Sequence, residues 1–272
     1  MNPRALLLWV GAVLLLSLGS EDPVYRLLTL VAALLLLVRW RRPGVRLTPI
    51  VWWIGAACTL GILFNFVLSH TGQDVIATLP DWLPAIGGQL TVEGAAYGVD
   101  VALGLGACLL AAAALAAVID SQELVDALPR QLQRTGAALG ASLTLIPRLR
   151  QSFMAVREAQ SMRGWRPRGP RSWRAVAVPS VLSAIEGSVL LAEAMEARGF
   201  GSGRRTPAWN WGWRKRDVLV AATSGMSLGL FSLALILGRV GGWQPYPQLQ
   251  LPGIDWVPAA ACLLLLVPGL IA

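Results

Sequence analysis

A chain of 272 residues that is 55% hydrophobic and 14% charged, with a mean hydropathy of +0.59, is no ordinary soluble domain. Its formal charge of +8 and pI near 10.6 raise nucleic-acid binding as a possibility. Loops lying beside anionic lipid account for the excess instead, each Arg there being worth about 1 kcal/mol, so no nucleic acid is expected.

Apolar runs at 5–19, 24–38, 50–69, 95–118, 218–238 and 256–271 are candidate membrane spans, six in all. The first two are short for a hydrocarbon core of about 30 Å. The last, with Pro268 near its end, is also brief. Met1-Asn2-Pro3-Arg4 followed by an apolar run has the outline of a signal peptide. No clear small-residue cleavage pattern follows, however, and Glu21-Asp22-Pro23 leads directly into another apolar run, so the segment reads as the first span. Residues 39–49 hold Arg39, Arg41, Arg42 and Arg46 without an acid, whereas 70–94 hold Asp74, Asp81 and Glu93 without a base. The segment 119–217 carries sixteen of the 23 basic residues against eight acids. The excess of Arg and Lys on cytoplasmic loops then predicts that both termini, the 39–49 loop and 119–217 are cytoplasmic. Cys58, Cys108 and Cys262 all lie in apolar runs and read as small packing residues, not as a disulfide or metal framework.

Between Ile119 and Asp217 the pattern changes from uniformly apolar to amphipathic and helical. Asp120-Ser121-Gln122-Glu123 offers an N-cap with an acid in the first turn, predicting a short helix through Leu128 that Pro129 or Gly136 breaks. A long helix is predicted over roughly 137–163, kinked near Pro147, with Arg150 and Arg157 on one face. Gly164, Pro167, Gly169 and Pro170 enforce a basic turn. A second long helix then runs from Arg174 to Arg198, with an apolar stripe of Val178, Val181, Leu182, Ile185, Val189 and Ala192. Glu186, Glu193 and Glu196 lie together on another side of it. Gly199, Gly201, Gly203 and Pro207 end it, and Trp209, Trp211 and Trp213 with Arg214-Lys215-Arg216 read as an interfacial anchor.

The two long helices end alike. Glu158-Ala159-Gln160-Ser161-Met162-Arg163-Gly164-Trp165 is echoed 35 residues later by Glu193-Ala194-Met195-Glu196-Ala197-Arg198-Gly199-Phe200. Gly just past a helix tolerates the left-handed conformation that stops it, and Arg in the last turn suits the negative end of the dipole. Helix capping alone would explain one copy. Two copies with matched flanks, on a membrane protein, point to a pair of arginines presented to a partner.

Other chemistry is poorly represented. A phosphate-binding loop needs Gly-x-x-x-x-Gly-Lys-Ser/Thr, yet the single Lys215 is followed by Arg216 and Asp217. His70 stands at a span end with no second His or Cys near it in sequence, and reads as a surface residue. No nucleophile motif suited to an intramembrane protease appears. Asp100 is the one carboxylate placed inside a span, which leaves two readings: a functional intramembrane acid, or a side chain reaching the interface.

On these residues the chain resembles the transmembrane T component of energy-coupling factor (ECF) transporters, the family that includes the cobalt-transport permease Q subunit. The resemblance includes Asp22-Pro23, Glu93-Gly94, Glu123-Leu124-x-x-Ala127-Leu128, Ile146-Pro147, Arg163-Gly164 and Ala192 through Phe200. That family carries two Ala-Arg-Gly-like motifs at the ends of two cytoplasmic coupling helices. The second is matched in full by Ala197, Arg198 and Gly199, while the first has Met162 in place of Ala before Arg163 and Gly164.

The resemblance implies an all-α integral membrane protein of about six transmembrane helices plus two long amphipathic cytoplasmic coupling helices. Its regions are 1–118 and 218–272 in the membrane and 119–217 between them. It implies a non-enzymatic, cofactor-free scaffold in a prokaryotic plasma membrane. The scaffold joins two ABC-type ATPases, which bind the ATP, to a membrane S component that captures a vitamin or metal ion. Met162, Arg163, Gly164, Ala197, Arg198 and Gly199 are the expected ATPase-binding residues, each Arg pairing with acidic groups in a groove. The alternatives are the substrate-translocating permease of an ordinary ABC importer, an intramembrane enzyme, and helices that merely lie on anionic lipid.

Overall fold

The computed structural model describes residues 2–69, 72–78, 89–127, 133–167, 169–199, 212–240, 242–246, 250 and 252–271; the side chains at 126, 133–138, 141, 170 and 171 are left out. The fold is helical. In order come α1 (Pro3–Gly19), α2 (Pro23–Trp40), α3 (Leu47–Leu68), α4 (Val92–Val118), α5 (Ser121–Asp126), α6 (Gln133–Met162), α7 (Arg174–Ala197), α8 (Lys215–Ile236), α9 (Trp256–Leu264) and α10 (Val267–Leu270). A short 3-10 turn, Pro170–Trp173, precedes α7. By length and composition α2, α3, α4, α7 and α8 are each able to cross a membrane, and α1 and the segment of α9 and α10 are shorter apolar helices. The protein is an all-α, multi-pass membrane protein.

The chain divides into two compact units, 1–120 with 212–272, and 121–211. In the first, Pro3 at N1 starts α1 and the Asn2 side chain accepts the Arg4 N–H, which caps it. Leu6, Trp9, Val13 and Leu16 of α1 and Leu36 and Leu37 of α2 are fully enclosed. Helix α4 supplies the small residues that let neighbours approach. A Cβ on Gly98 would stand 3.1 Å from the Ile62 carbonyl oxygen and Asn65 Cβ of α3, closer than ordinary packing. Helix α3 has no buried residue at all, and Trp52, Trp53, Leu60, Leu63 and Phe64 point outward.

The last candidate span is broken. A turn at Leu265 and Leu266 separates α9 from α10, because Pro268 has no N–H to continue the ladder. Two carbonyls at this break accept indole N–H groups: Trp9 Nε1 donates to the Leu265 carbonyl at 3.1 Å and Trp40 Nε1 to the Pro268 carbonyl at 3.0 Å. Tyr25 Oη donates to the Asp255 carbonyl at 3.2 Å and accepts the Asp255 N–H at 2.8 Å. The Asn2 N–H reaches Asp217 Oδ1 at 2.9 Å, so the starts of α1 and α8 meet. The Arg42 N–H donates to the Ala117 carbonyl, and its guanidinium lies 3.7 Å from Asp120, so the ends of α2 and α4 meet as well.

Two features differ from the sequence expectation. Residues Val75–Thr78 and Gln89–Thr91, expected as loop, form an antiparallel ribbon, β1 and β2. Buried Glu93 anchors that loop to the start of α4 by accepting the N–H groups of Gln73 and Asp74 at 3.0 and 3.1 Å. Gly136 does not interrupt the helix that passes through it. Helix α6 begins at Gln133, upstream of it, and Pro147 is carried inside the helix. Of the other expected features, His70, Asp81, Leu128, Pro129, Phe200, Gly201, Gly203, Pro207, Trp209 and Trp211 lie outside the described residues.

Candidate functional site

The two repeated helix ends are built the same way. Met162 is the last residue of α6 and stands 80% exposed. Arg163 caps the helix, and Gly164 turns left-handed at φ +83°. The Gly164 N–H returns to the Ser161 carbonyl at 3.0 Å and the Trp165 N–H to the Gln160 carbonyl at 3.0 Å, the paired bonds of a Schellman motif. At the other end Ala197 closes α7, Arg198 is its cap, and Gly199 turns left-handed at φ +70° with its N–H on the Glu196 carbonyl at 2.8 Å. At both turns a Cβ would be strained, which is why glycine follows each arginine. Arg163 and Arg198 are exposed, and neither guanidinium meets a carboxylate among the described residues. The six candidate residues are not gathered at one point. With 24 residues in α7, its second triplet stands about 36 Å along the helix from its start.

An aromatic cluster closes the turn after Arg163. Trp165 Nε1 donates to the Ser172 carbonyl at 2.9 Å, and its ring meets Trp173 edge-on, centroids 5.5 Å apart. Trp173 stacks on Phe153 of α6 at 6.1 Å and 9°, with the Arg157 guanidinium 5.9 Å from its centroid. This clasp was missed in the sequence. Its sequence signal is two tryptophans flanking a Gly- and Pro-rich turn.

Between α6 and α7 lies an open apolar groove of about 830 Å³, lined by Leu149 and Phe153 on one side and Val181, Ile185, Val189 and Ala192 on the other. The expected stripe on α7 is therefore real and unfilled: Val178, Val181, Leu182, Ile185 and Val189 are each more than half exposed. Apolar residues extend beyond it, with Leu190 exposed and Val176 buried on another side. Only Arg174, Glu186, Glu193 and Glu196 are charged in the whole helix, which explains why it is apolar enough to cross a membrane.

Asp100 is enclosed by neighbouring helices and does not reach out to solvent. It is 3% exposed, and its Oδ2 pairs with Arg26 of α2, whose Nε also donates to the Ser20 carbonyl at 2.9 Å. Gly104, one turn on, leaves room for that guanidinium: its Cβ would stand 3.2 Å from Arg26 Cδ and Nε. The pair reads as a clamp between α2 and α4. Beside it, at the turn before α2, burial with Glu21 and Asp255 nearby pushes the Asp22 carboxyl up from 3.8 to about 6. No group of three His, Cys, Asp or Glu placed to hold a metal occurs among the described residues.

Among curated proteins, none matches the chain. The family model described as cobalt transport protein, CbiQ, matches residues 1–209, a span that holds α1 to α7 and both Arg-Gly ends. The chain belongs to the CbiQ cobalt transport protein family, a family of membrane transport components and not of enzymes.

Proposed function

We propose that the protein is the energy-coupling scaffold of an ECF-type importer in a prokaryotic plasma membrane, with both termini and residues 119–217 on the cytoplasmic side. Two ABC-type ATPases bind through Arg163 and Arg198, and a substrate-capturing S component packs along the α6–α7 groove. The observation that carries this reading is the duplicated end. Two exposed arginines, each fixed on a helix terminus by a left-handed glycine, stand ready to enter an acidic groove. A guanidinium keeps its charge and offers a planar fork to a carboxylate. The groove supports the second partner: burying a Val or Ile side chain fully is worth about 1.5–3 kcal/mol, and several are open here.

Mechanically, α6 and α7 act as levers. At 30 and 24 residues they are about 45 and 36 Å long, stiff enough to carry motion from the ATPase ends to the groove. Closure of the ATPase dimer on ATP displaces the arginine ends, and the helices pass that displacement to the S component. The chain itself supplies no nucleotide-binding loop and performs no chemical step.

Co-purification tests this. The tagged chain co-expressed with ABC ATPases from the same genome is expected to retain them, and Arg163→Glu with Arg198→Glu is expected to lose them while still inserting in the membrane. Full retention by the double variant overturns the coupling role. A second reading is favoured by the length and composition of α7, which would allow it to cross the bilayer and so part Arg163 from Arg198. In a background without native cysteines, Arg166→Cys and Glu196→Cys are expected to react with an impermeant thiol reagent from the same side. Labelling from opposite sides would establish the second reading.

A further inference from the structure

We infer that Trp173, with Trp165 and Phe153, is a positioning device for Arg163, holding the backbone that carries it in one conformation before the ATPase arrives. This inference rests on the partner role proposed for Arg163. Arg163 follows the last helical residue of α6, and the ten residues between Arg163 and α7 include Gly164 and Gly169, both left-handed, with Pro167 and Pro170. Such a turn, left to itself, would let the helix end fray. Here it is closed at both sides. The Schellman bonds fix Trp165 to the end of α6, its indole is tied to Ser172, and Trp173 lies flat on Phe153, ten residues before Arg163 on the same helix.

These rings do not form a hydrophobic core. Trp173 is 37% exposed and Trp165 and Phe153 are half-buried, so the cluster gains modest burial for four aligned contacts. What it gives instead is rigidity at the residue next to the arginine. A side chain presented on a fixed backbone loses less freedom on binding than one on a frayed end. Arg157 rests against Trp173, its guanidinium 5.9 Å from the ring centroid.

The test is a double-mutant cycle read as the dissociation rate of the ATPases from the full-length chain in nanodiscs. Trp173→Ala is expected to speed dissociation about tenfold, the size of an extra immobilised side chain at binding. Trp173→Phe, which keeps the stack on Phe153, is expected to restore most of the wild-type rate. In an Arg163→Ala background, Trp173→Ala is expected to add nothing. An unchanged rate for Trp173→Ala overturns the inference. So does an equal further acceleration on Arg163→Ala, which would mean the rings merely steady the two helices. If Arg163→Ala alone leaves dissociation unchanged, the partner role of Arg163 falls, and the role of the clasp falls with it.

Discussion

Helices α3 and α7 are alike in length and composition, and both show their apolar side chains to the outside, but they differ in what they are built to meet. Helix α3 carries no charged residue over 22 positions, and its outward Trp52, Trp53, Leu60, Leu63 and Phe64 suit lipid on every exposed side. Helix α7 carries Glu186, Glu193 and Glu196 along its second half and borders a groove shared with α6. Exposed apolar surface thus has two meanings in one chain. On α3 it is the outer wall of a helical bundle, and on α7 it borders an open groove, the place proposed above for a protein neighbour.

The sharpest way to break that contrast is to disturb the bundle from inside. Asp100→Ala leaves the half-buried Arg26 without its carboxylate and is expected to cost about 2–3 kcal/mol, below the range for a fully buried pair because Arg26 keeps some solvent and its bond to the Ser20 carbonyl, read as a large fall in melting temperature in detergent. Arg26→Leu with Asp100→Leu is expected to recover much of it. A melting temperature unmoved by Asp100→Ala would remove the clamp. A smaller effect of a different kind is expected on the second unit. Ile185→Asp with Val189→Asp should release the S component while leaving melting and ATPase recovery intact, because those side chains are already exposed. The matching change Leu60→Asp on α3 should lower the amount inserted, at about 2.5–3.5 kcal/mol for a charge at mid-span. If both helices respond alike, the distinction between wall and docking face is wrong.

The smallest effect concerns pH. The folded state holds the Asp22 proton up to about pH 6, against 3.8 for the free group. Between those values the folded chain binds more protons than the unfolded chain, so the stability contributed by this site is full below 3.8 and is lost as pH rises through about 6. Asp22→Asn, which keeps an N-cap residue before Pro23, is expected to flatten this slope in melting experiments between pH 4 and 7 and to raise stability at pH 7. An identical slope in the variant would assign the dependence elsewhere.

Local chemistry was legible in the sequence and distant pairing was not. Helix α7 was expected to run from Arg174 to Arg198 and runs from Arg174 to Ala197, because its end is written by the adjacent arginine and glycine. The end of α6 was legible for the same reason. Its beginning was not: Gly136 costs a helix only about 1 kcal/mol relative to Ala, and the surrounding sequence carries it. The ribbon of Val75–Thr78 and Gln89–Thr91 escaped notice because two strands of four and three residues leave little alternation to read. The pairing of Arg26 with Asp100 joins positions 74 apart, and no spacing rule reaches that far. The stack of Trp173 on Phe153 was not legible either, because the two rings touch only after the turn between α6 and α7 has formed.

The indole of Trp9 has a consequence for biogenesis. Its acceptor, the Leu265 carbonyl, lies 256 residues downstream, so α1 leaves the ribosome long before the segment that completes its bonds. Until α9 and α10 arrive, a polar N–H inside the bundle has no such partner, and Trp40 waits likewise for Pro268. Insertion of the early helices and closure of the bundle are therefore separate events in time. During that interval an incomplete chain offers a quality-control protease or a membrane chaperone a signal that the finished protein hides.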